Sequence, residues 1–321
     1  MPHMSGELPA LSWTTAFTQW RFSPVTTVVV IVLAALYGWG VLRTRRAGVE
    51  RWPAGPTVAF GAGLLVLVLS MMSSLGVYEL ELFWIHMIRH LALIMIAPAC
   101  LAAGRPITLL TRAGSPRVSE ITKRVAVSPP VAFLTNPIVG FLIYAAVVVV
   151  THLTGLMNTV MTSSTAAGIE AVAYIVAGYL YFLPVFGDEP IRWWLSYPMR
   201  MVVVLLSMPV DTFTGIALMQ AHHPMHGMSV RAIYDGGAVM WIGGDFIMVV
   251  AILMVFRAWV RSGERVRPEK AGAGWMEAAR SQTFRERAGE DIAGDLDEDE
   301  AQLAAYNKWL ARMNEHDTPA S

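Results

Sequence analysis

WIHMIRHLALIMIAPACLAA, residues Trp84–Ala103, decides how the rest of the chain is read. At ~1.5 Å per residue a helix of this length rises about 30 Å, the thickness of a bilayer's hydrocarbon core. Its only ionisable side chains before Cys100 are His86, Arg89 and His90, all near its start. A helix satisfies every backbone hydrogen bond internally, which is what lipid demands of a spanning segment.

Working outward, comparable runs lie at 25–42, 57–76, 138–157, 166–186, 199–220 and 237–259, so the expectation is about seven spans. Composition agrees. The 321 residues are 55% hydrophobic and 15% charged, against roughly 25% charged in soluble domains. With 24 basic and 24 acidic residues there is no excess cation to bind phosphates, so nucleic acid is excluded as a partner and membrane lipid is the surrounding medium. The single cysteine, Cys100, rules out an intrachain disulfide or a multi-cysteine metal site.

Arg43, Arg45, Arg46 and Arg51 fill the first loop, and Arg105, Arg112, Arg117, Lys123 and Arg124 fill the third. Arg192 and Arg200 flank the fifth loop, and Arg257, Arg261, Arg265, Arg267 and Lys270 follow the last span. The second, fourth and sixth loops share one basic residue, Arg231. By the positive-inside rule the N-terminus and even loops face out and the C-terminus lies in the cytoplasm. The expected fold is an all-α integral membrane protein: an extracytoplasmic segment 1–24, a seven-transmembrane helix bundle 25–260 in the plasma membrane, and a charged cytoplasmic tail 261–321. In that tail Leu303, Tyr306, Leu310 and Met313 mark a short amphipathic helix with Trp309 on its flank.

Ionisable groups inside spans cost about 2.5–3.5 kcal/mol each on insertion scales. Here they gather toward the outer side: His86 and His90 on span three, His152 on span four, Glu170 on span five, Asp211 on span six, and Asp235 and Asp245, with Met240, on span seven. The inner halves hold nothing comparable. His86 and His90, four apart, share a helix face and can reach one ion; a polar pair bonded between helices reads the same spacing equally well. His152 at matching depth, with carboxylates and methionines nearby, favours a metal. Arg89 cannot coordinate and pairs with Glu79, Glu81 or Asp235. Glu170, Asp211 and Asp245 are candidate ligands or interhelical packing groups, and Met71, Met72, Met95 and Met199 read as gap-fillers.

The sixth loop carries HHPMHGM, with His222, His223, Met225, His226 and Met228 as candidate metal ligands. Imidazole with thioether suits copper, Cu(I) in particular, rather than a hard cation. The other reading is a polar turn around Pro224 and Gly227. His3 and Met4 form a weak second handle at the N-terminus.

Three blocks carry a resemblance. HMIRHLALIMIAPACLAAGRPITLL (86–110), NPIVGFLIYAAVVVVTHLTGLMN (136–158) and IYDGGAVMWIGGDFIMVVAILMVF (233–256) resemble the CtaG-type cytochrome c oxidase assembly proteins of Gram-positive bacteria and actinobacteria. The tail stretch LAAYNKWLARMNEH (303–316) is similar to actinobacterial members. The resemblance implies a non-enzymatic seven-span factor that works with cytochrome c oxidase subunits and helps copper reach an extracytoplasmic centre. The positions it matches are His86, His90, His152, Asp235, Met240 and Trp241. The family often shows His-Ala-x-Glu-His at the start of span five, whereas AAGIEAVAY (166–174) keeps Glu170 alone. HHPMHGM lies outside the family pattern.

These residues give a two-tiered expectation: the loop collects or relays copper, and the buried group of His86, His90, His152 and Asp235 positions it, with Met240 a thioether suited to Cu(I). Zinc is the alternative ion, and with it a seven-span amide hydrolase, although no Ser-His constellation accompanies the histidines. A transporter requires polar groups continuing across the membrane, and the ionisable ones stop near its middle. A metal-free scaffold for oxidase assembly is the remaining reading.

Overall fold

The structure, a computed structural model, describes residues 8–46, 52–221 and 228–262. They form helices in the order α1 (Trp13–Thr18), α2 (Pro24–Arg46), α3 (Ala54–Met72), α4 (Ser74–Tyr78), α5 (Phe83–Leu91), a π-helical stretch Ala92–Ile96, α6 (Ala97–Ala103) and α7 (Pro106–Ala113). Then follow α8 (Pro116–Ala126), α9 (Pro129–Leu134), α10 (Pro137–Leu153), α11 (Leu156–Thr162), α12 (Ser164–Phe186), α13 (Tyr197–Met219) and α14 (Val230–Ser262). The helices up to Ala258 belong to one compact unit.

Among the described residues, six segments are long and apolar enough to cross a membrane: Pro24–Arg45, Ala54–Tyr78, Phe83–Ala113, Ser164–Phe186, Tyr197–Met219 and Val230–Ser262. The chain is therefore a multi-pass membrane protein whose described residues fold into helices without strands. The expected fourth span, 138–157, is not one straight helix. It divides into α10, of 17 residues, and α11, bent from it by 73°. The break falls at Thr154, which is fully extended, and Gly155. The predicted tail helix and cytoplasmic tail lie outside the described residues.

Local chemistry sets the helix ends. Asn136 Oδ1 accepts from the Ile138 backbone N–H at 2.9 Å, and Pro137 occupies the first turn, where no N–H is needed. The Ser163 side chain caps α12 in the same way through Ala166 N–H.

Large apolar side chains such as Ile31, Leu142, Ile169, Ile242 and Phe246 are exposed, as lipid-facing positions should be. Inside, α12 packs along α6 and α10, and α10 along α13. The π-helical stretch sits where α12 comes closest. Ala97 N–H bonds back five residues to the Ala92 carbonyl. Pro98 has no N–H to give the Ile94 carbonyl, its α-helical partner. That carbonyl oxygen faces Gly178 of α12, where an added Cβ would collide with it. Pro98 and Gly178 thus fix how closely the histidine-bearing helix and α12 approach.

Candidate metal centre

His86 and His90 project from α5, His152 from the last turn of α10, and Glu170 with Tyr174 from the first half of α12. Each of the five is at most 4% exposed. The helix ends that carry them meet, so residues far apart in sequence form one cluster.

Ring geometry ties the cluster together. The His90 ring meets the His152 ring edge-on with centroids 4.5 Å apart, and meets Tyr174 edge-on at 4.4 Å. His86 stacks on Phe83 at 6.1 Å. Phe83 in turn fills the space beside Gly236 of α14, which a Cβ would occupy. The fourth side is acidic: Glu170 Oε2 lies 3.8 Å from His86 Nε2, beyond hydrogen-bond reach.

Hydrogen bonds around the cluster orient it. Tyr174 O–H donates to Glu170 Oε1 at 2.7 Å, and Thr151 O–H donates to the Val147 carbonyl at 2.7 Å. His152 Nδ1 lies 2.9 Å from the Val148 carbonyl oxygen, which can only accept, so this nitrogen carries the proton. Its Nε2 is left with a free lone pair, the arrangement of a ligating imidazole fixed from behind.

What the cluster lacks is equally informative. Both ring nitrogens of His86, both of His90, Nε2 of His152 and Oε2 of Glu170 are buried without a hydrogen-bond partner. Such groups are rare in folded proteins because desolvation is not repaid. Their chemistry, imidazole nitrogen and carboxylate oxygen, suits copper or zinc. Among the described residues, however, no three His, Cys, Asp or Glu side chains already converge on one point at ligand distance.

The remaining predicted positions fall elsewhere. Asp235 is 42% exposed and pairs with Arg231 one turn earlier at 3.0 Å, not with the histidines. Met240 is fully buried in the apolar core, and Met228 packs half-buried against that core. His222, His223, Met225 and His226 lie outside the described residues. Arg89 pairs with Glu79, as one of its three expected partners, and Glu79 also binds Arg21 at 3.2 Å.

Sequence reasoning missed two things. Tyr174 holds Glu170 Oε1, signalled by the four-residue step between them, and Thr151 Oγ1 lies 2.9 Å from His152 Nδ1, for which the sequence offers no comparable signal. The inner polar groups also continue past Asp211. Tyr144 O–H donates to Asp211 at 2.8 Å, Tyr181 O–H donates to Ser207 Oγ at 2.8 Å, and buried Arg200 donates to the Val185 carbonyl at 3.1 Å. A count of acids and bases alone overlooks such hydroxyls.

Residues 35–262 match the family model described as cytochrome c oxidase caa3 assembly factor (Caa3_CtaG). An uncharacterized protein of Mycobacterium leprae (strain TN) is 29% identical over 269 residues, covering 78% of this chain and 41% of the relative. An uncharacterized protein of Mycobacterium bovis (strain ATCC BAA-935 / AF2122/97) is 27% identical over 316 residues, covering 92% and 45%. The chain thus spans less than half the length of these relatives. No solved structure matches. The family match takes in every residue of the histidine cluster, and with it the chain belongs to the cytochrome c oxidase caa3 assembly factor family.

Proposed function

We propose that this protein aids assembly of a haem-copper oxidase by holding copper transiently in the cluster of His86, His90, His152 and Glu170 and releasing it to an oxidase subunit. The observation that carries the reading is the set of buried, unpartnered nitrogen and oxygen atoms on these four residues, in a chain of an oxidase assembly family. Three imidazoles and a carboxylate that are not locked into a closed cage suit exchange, since a preformed four-ligand site would retain its ion. Of the two carboxylates that could balance the ion's charge, Asp235 and Glu170, the one beside the histidines is Glu170.

In this reading the bent α10–α11 pair counts as a span, giving seven. The arginine-rich loops face the cytoplasm and the buried cluster lies toward the outer side of the plasma membrane. The 222–228 loop then lies on the same side as the cluster and serves as an outer collecting tier. The role is one of delivery and not of catalysis.

The test is the copper content of the oxidase assembled in cells carrying His86→Ala/His90→Ala, compared with cells lacking residues 222–228. The proposal expects oxidase protein depleted of copper in the first and a milder deficit in the second. Normal copper loading in the double variant would overturn it. Among the described residues no three donors converge at ligand distance, which leaves a second reading, a metal-free scaffold. That reading predicts loss of the whole oxidase complex in both strains, with no selective loss of its copper.

A further inference from the structure

Asp211 lies apart from the histidine cluster, on α13, and is completely buried. Its Oδ2 accepts from the Tyr144 hydroxyl at 2.8 Å, whereas Oδ1 has no partner. None of the ion pairs among the described residues includes it.

Each neighbouring element withholds a positive charge. From α10 comes only the Tyr144 phenol. From α12 comes Tyr181, whose ring is 4.9 Å from that of Tyr144 and whose hydroxyl is committed to Ser207. From α14 comes Gly244, where a built Cβ would lie 3.2 Å from Asp211 Cβ and 3.5 Å from the Met95 methyl. The adjacent Asp245 has the same sign of charge as an ionised Asp211 and accepts from the Thr212 hydroxyl at 3.1 and 3.2 Å. An ionised carboxylate here would stand in apolar surroundings with one phenol donor and a like charge nearby, a situation proteins avoid by neutralising the group.

We propose that Asp211 is a buried proton-binding site: its carboxyl is held as the neutral acid, with the proton on Oδ1 while Tyr144 donates to Oδ2. A hard metal cation does not fit in its place, because such ions gather six or more oxygens, and besides Asp211 itself the neighbours offer one phenol, from Tyr144, and the Asp245 carboxylate, already engaged by Thr212, beside a glycine and a methionine methyl. The site lies about 12 Å along α10 from His152, from the eight residues separating it from Tyr144. A proton lost from Asp211 would therefore place a negative charge beneath the histidine cluster.

Infrared spectroscopy of the full chain in lipid nanodiscs at neutral pH, with the aspartate carboxyls 13C-labelled, tests this. The expected result is a protonated-acid C=O stretch that carries the isotope shift, disappears in Asp211→Asn and changes frequency without disappearing in Tyr144→Phe. Should Asp211→Asn fail to fold, the Tyr144→Phe shift of the labelled band decides. No labelled acid band in the wild type, or one that Tyr144→Phe leaves unmoved, would overturn the proposal.

Discussion

Glu79→Gln is the substitution for which the structure gives the firmest magnitude. Arg89 sits between the two histidines on α5 and is 2% exposed; Glu79 is 3% exposed. The guanidinium donates to the Ser70 carbonyl at 3.2 Å, lies 3.2 Å from Met71 Sδ, and pairs with Glu79. Replacing the carboxylate with an amide leaves a buried cation without counter-charge, which costs about 3–5 kcal/mol. Removing both charges in Glu79→Gln/Arg89→Met exchanges the pair for neutral groups of similar size, a change that is often close to neutral. The double variant should then recover about 2 kcal/mol or more of the loss, a coupling in the range measured for contacting residues. The assay is reversible unfolding in mixed micelles titrated with SDS, followed by far-UV circular dichroism. Arg21→Ala serves as a control, because Arg21 is half exposed and an exposed partner is worth at most about 1 kcal/mol. A Glu79→Gln loss under 0.5 kcal/mol, or strict additivity in the double variant, would refute the reasoning.

Three further outcomes follow from the geometry. Gly178→Ala places a Cβ against the Ile94 carbonyl and should destabilise by about 1–3 kcal/mol, read in the same titration; an unchanged midpoint would show that α12 can retreat freely. Glu189 caps α7 by accepting from Ile107 N–H at 2.9 Å and Thr108 N–H at 2.6 Å, yet burial holds its carboxyl above the ordinary glutamate range. The folded state thus binds this proton more tightly, so stability should fall as pH rises from the ordinary glutamate value through the raised one; Glu189→Gln should flatten that slope, and an identical slope would contradict it. Tyr174→Phe removes the bond holding Glu170 Oε1 and should weaken metal binding roughly 10–100-fold, as loss of an orienting partner does, measured by competition with a chelator.

The sequence and the structure agree where one kind of interaction decides. Apolar runs name six of the spans because lipid leaves no other choice, and the four-residue step from His86 to His90 forces both onto one helix face. The fourth span is where that logic ends, since Thr154–Gly155 lets the chain turn by 73° inside an apolar run. Asp235 was drawn into the site by depth and by the family pattern, while its i,i+4 spacing from Arg231 already offered a local partner that the structure confirms. Glu170 went the other way. Its approach to His86 depends on Pro98 and Gly178 setting the distance between two helices, which no single segment encodes. The hydroxyls of Tyr144, Thr151 and Tyr174 carry no charge, and their roles emerge only when α10, α12 and α13 pack.

The central claim is that the buried cluster holds the metal, and equilibrium loading of the purified protein tests it most directly. Wild type, His86→Ala/His90→Ala, His152→Ala, Glu170→Gln and a variant lacking residues 222–228 are each dialysed against copper, and separately against zinc, before metal is counted by mass spectrometry. The account predicts one exchangeable copper per chain at equilibrium in the wild type and in the loop-deleted protein, sharply less in the histidine variants, and intermediate loading in Glu170→Gln. Equal copper in the wild type and both histidine variants, in folded protein, would contradict it.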